Sequence, residues 1–143
     1  MHARHYLPSI EVGGRFFYMR EDLINYTIRG ELPGLNEVIS KAKRHWSKYH
    51  RLKSSSTLLC STSAKGLPPL AGPLRVEIDW FCSSRRRDPD NISSAKKFVL
   101  DGLIDAGVLT DDGWSQITEF CDRFHVSKHD PRVEVHLQGV LDV

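Results

Sequence analysis

The stretch LRVEIDWFCSSRRRDPDN, Leu74 to Asn91, decides the fold. Its first nine residues alternate, with Leu74, Val76, Ile78 and Trp80 on one side and Arg75, Glu77, Asp79 and Phe81 on the other. That period of two belongs to a strand with one face in a core. The strand runs directly into Ser83-Ser84-Arg85-Arg86-Arg87 and then Asp88-Pro89-Asp90-Asn91. Pro89 fixes its own φ and pushes Asp88 towards an extended backbone, so Asp88 and Asp90 can share a side and converge on one cation.

Working outward, residues 92–105 predict a helix with Ile92, Ala95, Val99, Leu103 and Ala106 inward, widened by Phe98 and Leu100. Asp90 or Asn91 can cap its start, and Gly107 can end it as a C′ glycine. Thr110 to Gly113 reads as a polar turn, followed by strands at 116–126 and 132–137 that are expected to form an antiparallel closing hairpin. Towards the N-terminus, residues 23–28 read as a strand and Pro33-Gly34 as a turn. A helix is expected from 35 to about 50, with Leu35, Val38, Ile39, Ala42 and Trp46 as its core stripe. Ser54 to Thr57, Gly66 to Pro69 and Gly72-Pro73 read as loops. The expected fold is α+β, a single domain with a mixed β-sheet packed by two main helices. Residues 1–21 are expected to be an N-terminal arm or extension on a domain spanning 22–143.

At 143 residues the chain suits one core. No apolar run approaches the roughly 18 residues of a membrane span, and the N-terminus lacks the apolar stretch of a signal peptide. Cys60, Cys82 and Cys121 are odd in number and widely spaced, which argues against a disulfide framework or a cysteine-rich zinc site and fits a reducing, cytoplasmic setting. The net charge of +2 decides little, but its distribution does. Between Val38 and Val76 there is no acid, while Lys41, Lys43, Arg44, Lys48, Arg51, Lys53, Lys65 and Arg75 give +8 and leave −6 for the rest. Such asymmetry suits a protein that holds a polyanion with one part and cations with another.

Asp88, Asp90 and Asp112 brought together would offer the hard, all-oxygen environment that suits Mg²⁺. Phosphodiester hydrolysis needs an activated water and a neutralised phosphate, and a carboxylate-held Mg²⁺ supplies both. Each part also has a plain structural account. Asp-Pro-Asp-Asn is a turn with an N-cap, and Asp111-Asp112-Gly113 is a turn. Arg85, Arg86 and Arg87 either lie on open surface or receive a phosphate. Lys97 lies four residues before Asp101 and can form a same-face ion pair. Trp114 either stacks on a base or sits partly buried in the core. No histidine shows a zinc motif.

Asp88-Pro89-Asp90-Asn91, Lys97 to Leu103, Ala106 to Leu109 and Asp111-Asp112, in that order, resemble the RusA family of Holliday junction resolvases, and its phage and prophage members most of all. Gly30 to Glu37, Asp112-Gly113-Trp114 and Pro131 to Val135 extend the resemblance to about residues 22–138. The resemblance implies that Asp88, Asp90 and Asp112 bind Mg²⁺, that Lys97 is the catalytic lysine, and that Asp111 carries lesser weight. It also implies a homodimer that cuts four-way junction DNA by paired nicks. Two sites in a twofold dimer suit a near-twofold junction. In the founding bacterial type the lysine follows the second aspartate by four residues, a place held here by Ser94. Lys97 lies seven after Asp90, and Lys96 is the alternative.

The reading is therefore a Mg²⁺-dependent endodeoxyribonuclease. Arg85, Arg86, Arg87 and the basic segment Lys41, Lys43, Arg44, Lys48, Arg51 and Lys53 would contact DNA backbone rather than bases. The alternatives are a non-catalytic nucleic-acid-binding protein, or a nuclease of the same fold acting on flap DNA or RNA.

Overall fold

The computed structural model describes residues 9–142. Strand β1 (Ser9–Val12) and the long β2 (Arg15–Arg29) lead into helices α1 (Leu35–Arg44) and α2 (Trp46–Ala64). Then come β3 (Leu74–Cys82), α3 (Pro89–Ser93), α4 (Lys96–Asp105), β4 (Ile117–Val126) and β5 (Arg132–Asp142). The five strands form one mixed sheet in the order β1-β2-β5-β3-β4, so the α+β expectation with helices packed on a mixed sheet holds. The boundary expected after residue 21 falls inside β2, and residues 1–8 of the expected arm lie outside the described residues.

β3 forms over the span its alternation predicts, and every second residue from Leu74 to Cys82 is buried. It pairs with β4 in parallel and with β5 antiparallel. The closing hairpin expected between 116–126 and 132–137 does not form, because β3 lies between the two strands. A core-facing strand with polar residues on its other face can pair on both edges. This one does so through a crossover from β3 by way of α3 and α4.

The helices depart from expectation in four ways. The helix expected at 35 to about 50 breaks at His45, whose extended backbone separates α1 from α2. α2 then runs on through Ser54 to Thr57, which were expected as loop. Its buried residues are Ser56, Cys60 and Ala64, small side chains four apart. Packing overrides weak serine propensity there, because small residues let α2 approach α4 closely. A Cβ on Gly102 of α4 would stand 2.5 Å from Cys60 Cβ, so the crossing admits only glycine. Burial, with the charge of Asp101 adding to it, pushes the Cys60 thiol up to about 12, so it is a packing residue rather than a nucleophile.

A third departure concerns α1. Its stripe was expected in the core, yet no α1 residue is buried, and Leu35 and Ile39 are 45% and 41% exposed. Only Val38 packs partly against the core. The helix expected at 92–105 is likewise divided, into α3 and α4. Gly107, at a φ of 77°, ends α4 as predicted, with Val108 N–H donating back to Leu103 O at 2.9 Å.

The sheet face away from the helices carries a charge network centred on Asp79. Arg123 Nε donates to Asp79 Oδ1 at 2.9 Å, while His125 Nε2 and His136 Nε2 lie 2.8 and 3.0 Å from its two oxygens. Burial alone would raise the Asp79 carboxyl. The hydrogen bonds from Arg123, His125 and His136, with the Arg123 charge, instead hold it down at about 2. A carboxyl depressed in the folded state stabilises above its unfolded value and loses that contribution as pH falls through the folded one. The thermal midpoint should therefore fall as pH drops from about 4 towards 2. Asp79→Asn should be less stable at neutral pH and show a shallower fall across that window in melts followed by circular dichroism. Parallel profiles would remove Asp79 as the cause.

Candidate active site

Asp88 leaves the C-terminal side of β3 with an extended backbone (φ −72°, ψ 153°), as the following proline requires, and Pro89 opens α3. Asp88 and Asp90 are exposed. Asp90 Oδ1 accepts from Asn91 N–H at 2.9 Å, and Asp111 Oδ1 accepts from Asp112 N–H at 2.8 Å. Asp112 lies in the loop before β4. The Asp112 carboxylate is within electrostatic reach of Lys97, on the first turn of α4. Among the described residues, no group of three or more His, Cys, Asp or Glu side chains stands close enough to hold a metal ion. Asp88 and Asp90 share one loop, and Asp112 stands in a second, before β4. The donors are all carboxylate oxygens, the type that suits Mg²⁺.

Lys97, on the first turn of α4, senses Asp112. Its ammonium lies 3.1 Å from Asp101 and is 65% exposed. The hydrogen bond to Asp101 raises its pKa against the opposing effect of burial, with the charges of Asp101 and Asp112 adding to the rise. Lys97 therefore stays a cation at neutral pH and can stabilise negative charge, but it does not act as a base. Lys96 is differently placed: its ammonium donates to Asp122 at 2.6 Å and lies 4.5 Å from the centre of the Phe120 ring. Trp80 Nε1 donates to the other Asp122 oxygen at 2.8 Å. Lys96 ties α4 to β4, while Lys97 faces solvent. Asp122 was not singled out from sequence. A lone acid between Phe120 and Phe124 on the helix-facing side of a strand is the signal that could have found it.

The three arginines separate in the same way. Arg85 and Arg86 are exposed, whereas Arg87 turns inward. It donates to Leu32 O at 2.9 Å and stands 3.6 Å from Glu31. Glu31 also accepts from Ser83 N–H. Burial works to raise the Glu31 carboxyl, but the Ser83 hydrogen bonds and the Arg87 charge outweigh it and leave it lowered. Asn91 completes this clamp. It caps no part of α3; its Oδ1 accepts from Asn36 N–H, in the first turn of α1, at 3.0 Å. A Cβ on Gly34 would fall 2.6 Å from that same oxygen, which explains the glycine. The segment around residues 31–36 and the acidic loop therefore form one unit.

The basic residues follow from there. Lys43, Arg44, Lys48, Arg51 and Lys53 are exposed along α1 and α2, and Lys41 is partly so. Lys53 and His50 line, with Asp101 and Asp105, a groove of about 630 Å³ between α2 and α4. Trp114, for which a partly buried core position had been one expectation, is fully exposed beside the Asp112 loop.

A family model described as "Endodeoxyribonuclease RusA" matches residues 34–138. No curated protein gives a sequence match. Among solved structures, a HypE–HypF complex overlaps at 9% identity and a TM-score of 0.35, covering 94% of this chain and 35% of that one. Phosphoribosylformylglycinamidine synthase II from Thermotoga maritima overlaps at 10% and 0.35, covering 96% and 20%. PurLQS from Thermotoga maritima overlaps at 10% and 0.34, covering 94% and 19%. The chain spans about a third or less of each, and likeness at that level bears on neither fold nor chemistry.

Asn91→Ala should remove the cap on α1 and lower stability by about 1 kcal/mol, while Asn91→Asp keeps an acceptor and most of the stability. Faster exchange of the Asn36 amide in the alanine variant is the local signature. Unchanged protection of that amide would show that Asn91 does not hold α1.

Proposed function

Because the chain belongs to the RusA endodeoxyribonuclease family, we propose that it is a Mg²⁺-dependent endodeoxyribonuclease that resolves four-way DNA junctions by paired phosphodiester hydrolysis. The observation that carries this reading is the family match, which spans the acidic loop, α4 and the Asp112 loop together. Asp88, Asp90 and Asp112, which do not form a three-member cluster among the described residues, would have to converge to hold the ion, which when bound supplies an activated water and neutralises the phosphate. Lys97, a cation clear of the sheet, steadies charge on the phosphate or leaving oxygen, leaving 5′-phosphate and 3′-hydroxyl ends. Asp111 orients the Asp112 backbone through its hydrogen bond. Arg85, Arg86 and the exposed bases of α1 and α2 hold the DNA backbone, and Trp114 is available to stack on a base. Arg87, bound to Leu32 and Glu31, acts by fixing the loop.

A homodimer forms part of the proposal. The uncovered stripe of α1, with Leu35 and Ile39, joins Trp46 at 66% exposure as apolar surface that a second copy would cover. Two sites related by a twofold axis match the symmetry of a four-way junction.

Asp88→Asn, Asp90→Asn and Asp112→Asn should each abolish Mg²⁺-dependent cleavage while keeping or tightening junction binding, because repulsive charge is removed. Comparing four-way, flap and duplex DNA in that assay also separates junction resolution from flap cleavage. Cleavage persisting in all three variants would end the metal-site reading. Lys43→Glu with Arg44→Glu should weaken junction binding and reduce the slope of log K against log salt by about two. An unchanged slope in salt titrations would move the DNA off α1.

A further inference from the structure

Beside the acidic loop lies a pocket of about 350 Å³ whose aromatic and aliphatic walls have no part in the chemistry proposed above. Phe124 and Val126 of β4 line it together with Pro89 and Ile92 of α3, and so do Asp88 and Arg85. Phe124 is 39% exposed and Val126 51%. β4 is the last strand of the sheet, so among the described residues no further strand lies beyond it. The pocket thus combines an aromatic face, an aliphatic wall, an exposed guanidinium and a carboxylate of the candidate metal site.

Those groups select the occupant. A nucleobase has a flat face to lay on Phe124 and is attached to a phosphate that Arg85 can receive. An aliphatic side chain would match the wall but leave Arg85 without a counterpart. Continuity with Asp88 places any occupant next to the phosphate to be cut. Branched DNA interrupts the continuous base stack, which lowers the cost of turning a base outward. Stacking on an aromatic ring then offsets that cost.

We propose that this pocket receives one unstacked nucleobase adjoining the scissile phosphate, with Phe124 as its stacking surface, and so determines which sequences are cut. The proposal rests on the endonuclease reading above. The test uses the full chain and four-way junctions of varied sequence. 2-Aminopurine is placed at each position flanking the cut, and binding is followed without Mg²⁺. Wild type should brighten the probe at one flanking position. Phe124→Ala should lose that signal and compress the preference among cut sites about tenfold, with overall junction affinity nearly unchanged. Phe124→Trp should restore both signal and preference.

Phe124→Ala that keeps the signal and the preference overturns the proposal. So does a variant that keeps both while shifting the oligomeric state in sedimentation, which would make this face an interface between copies. Wild type that brightens the probe through Phe124 yet cuts no DNA would sink the endonuclease reading and leave the base pocket standing.

Discussion

Burial of one face of β3 constrains everything around it. Leu74, Val76, Ile78 and Trp80 are almost fully removed from water, and fully burying a large apolar side chain contributes roughly 1.5–3 kcal/mol. The ion pairs on the opposite face, such as Arg123 with Glu77, are half-exposed and contribute about 1 kcal/mol or less each. Hydrophobic burial therefore fixes the register, and the charge network adapts to it. With β3 fixed between β4 and β5, its C-terminal end delivers the acidic loop to one edge of the sheet, where α3 and β4 meet.

Strong local patterns are legible in the sequence alone. The alternation of β3, the proline that extends Asp88 and the glycine that ends α4 each act over a few residues, and each holds in the folded chain. The misreadings share a cause, since they depended on what lies across space. Ser54 to Thr57 looked like loop because serine and threonine are weak helix formers, yet small residues are what the close approach to Gly102 demands. The α1 stripe has helical period, but periodicity does not say which surface will cover it. The closing hairpin failed because adjacency in sequence was taken for adjacency in the sheet.

The candidate site divides along the same line. Asp88 and Asp90 were readable as neighbours because one proline separates them, and they share a loop. Where Asp112 stands relative to them depends on the path of α4 and the direction of β4, which no local pattern encodes. The choice between Lys96 and Lys97 also turned on a distant group. Asp122, twenty-six residues after Lys96, engages one lysine and leaves the other in water. Arg87 was grouped with its neighbours by sequence, but its guanidinium serves the segment around Leu32.

The contact between Gly34 and Asn91 has a consequence for how the chain can change over time. Position 34 can gain a side chain only if position 91 loses or moves its amide, and Asn91 in turn serves the α1 backbone through Asn36. Two sites 57 residues apart are therefore coupled in one direction. A side chain at 34 must wait on a change at 91, whereas 91 can change first at a modest cost to the α1 cap, so the order of change is fixed.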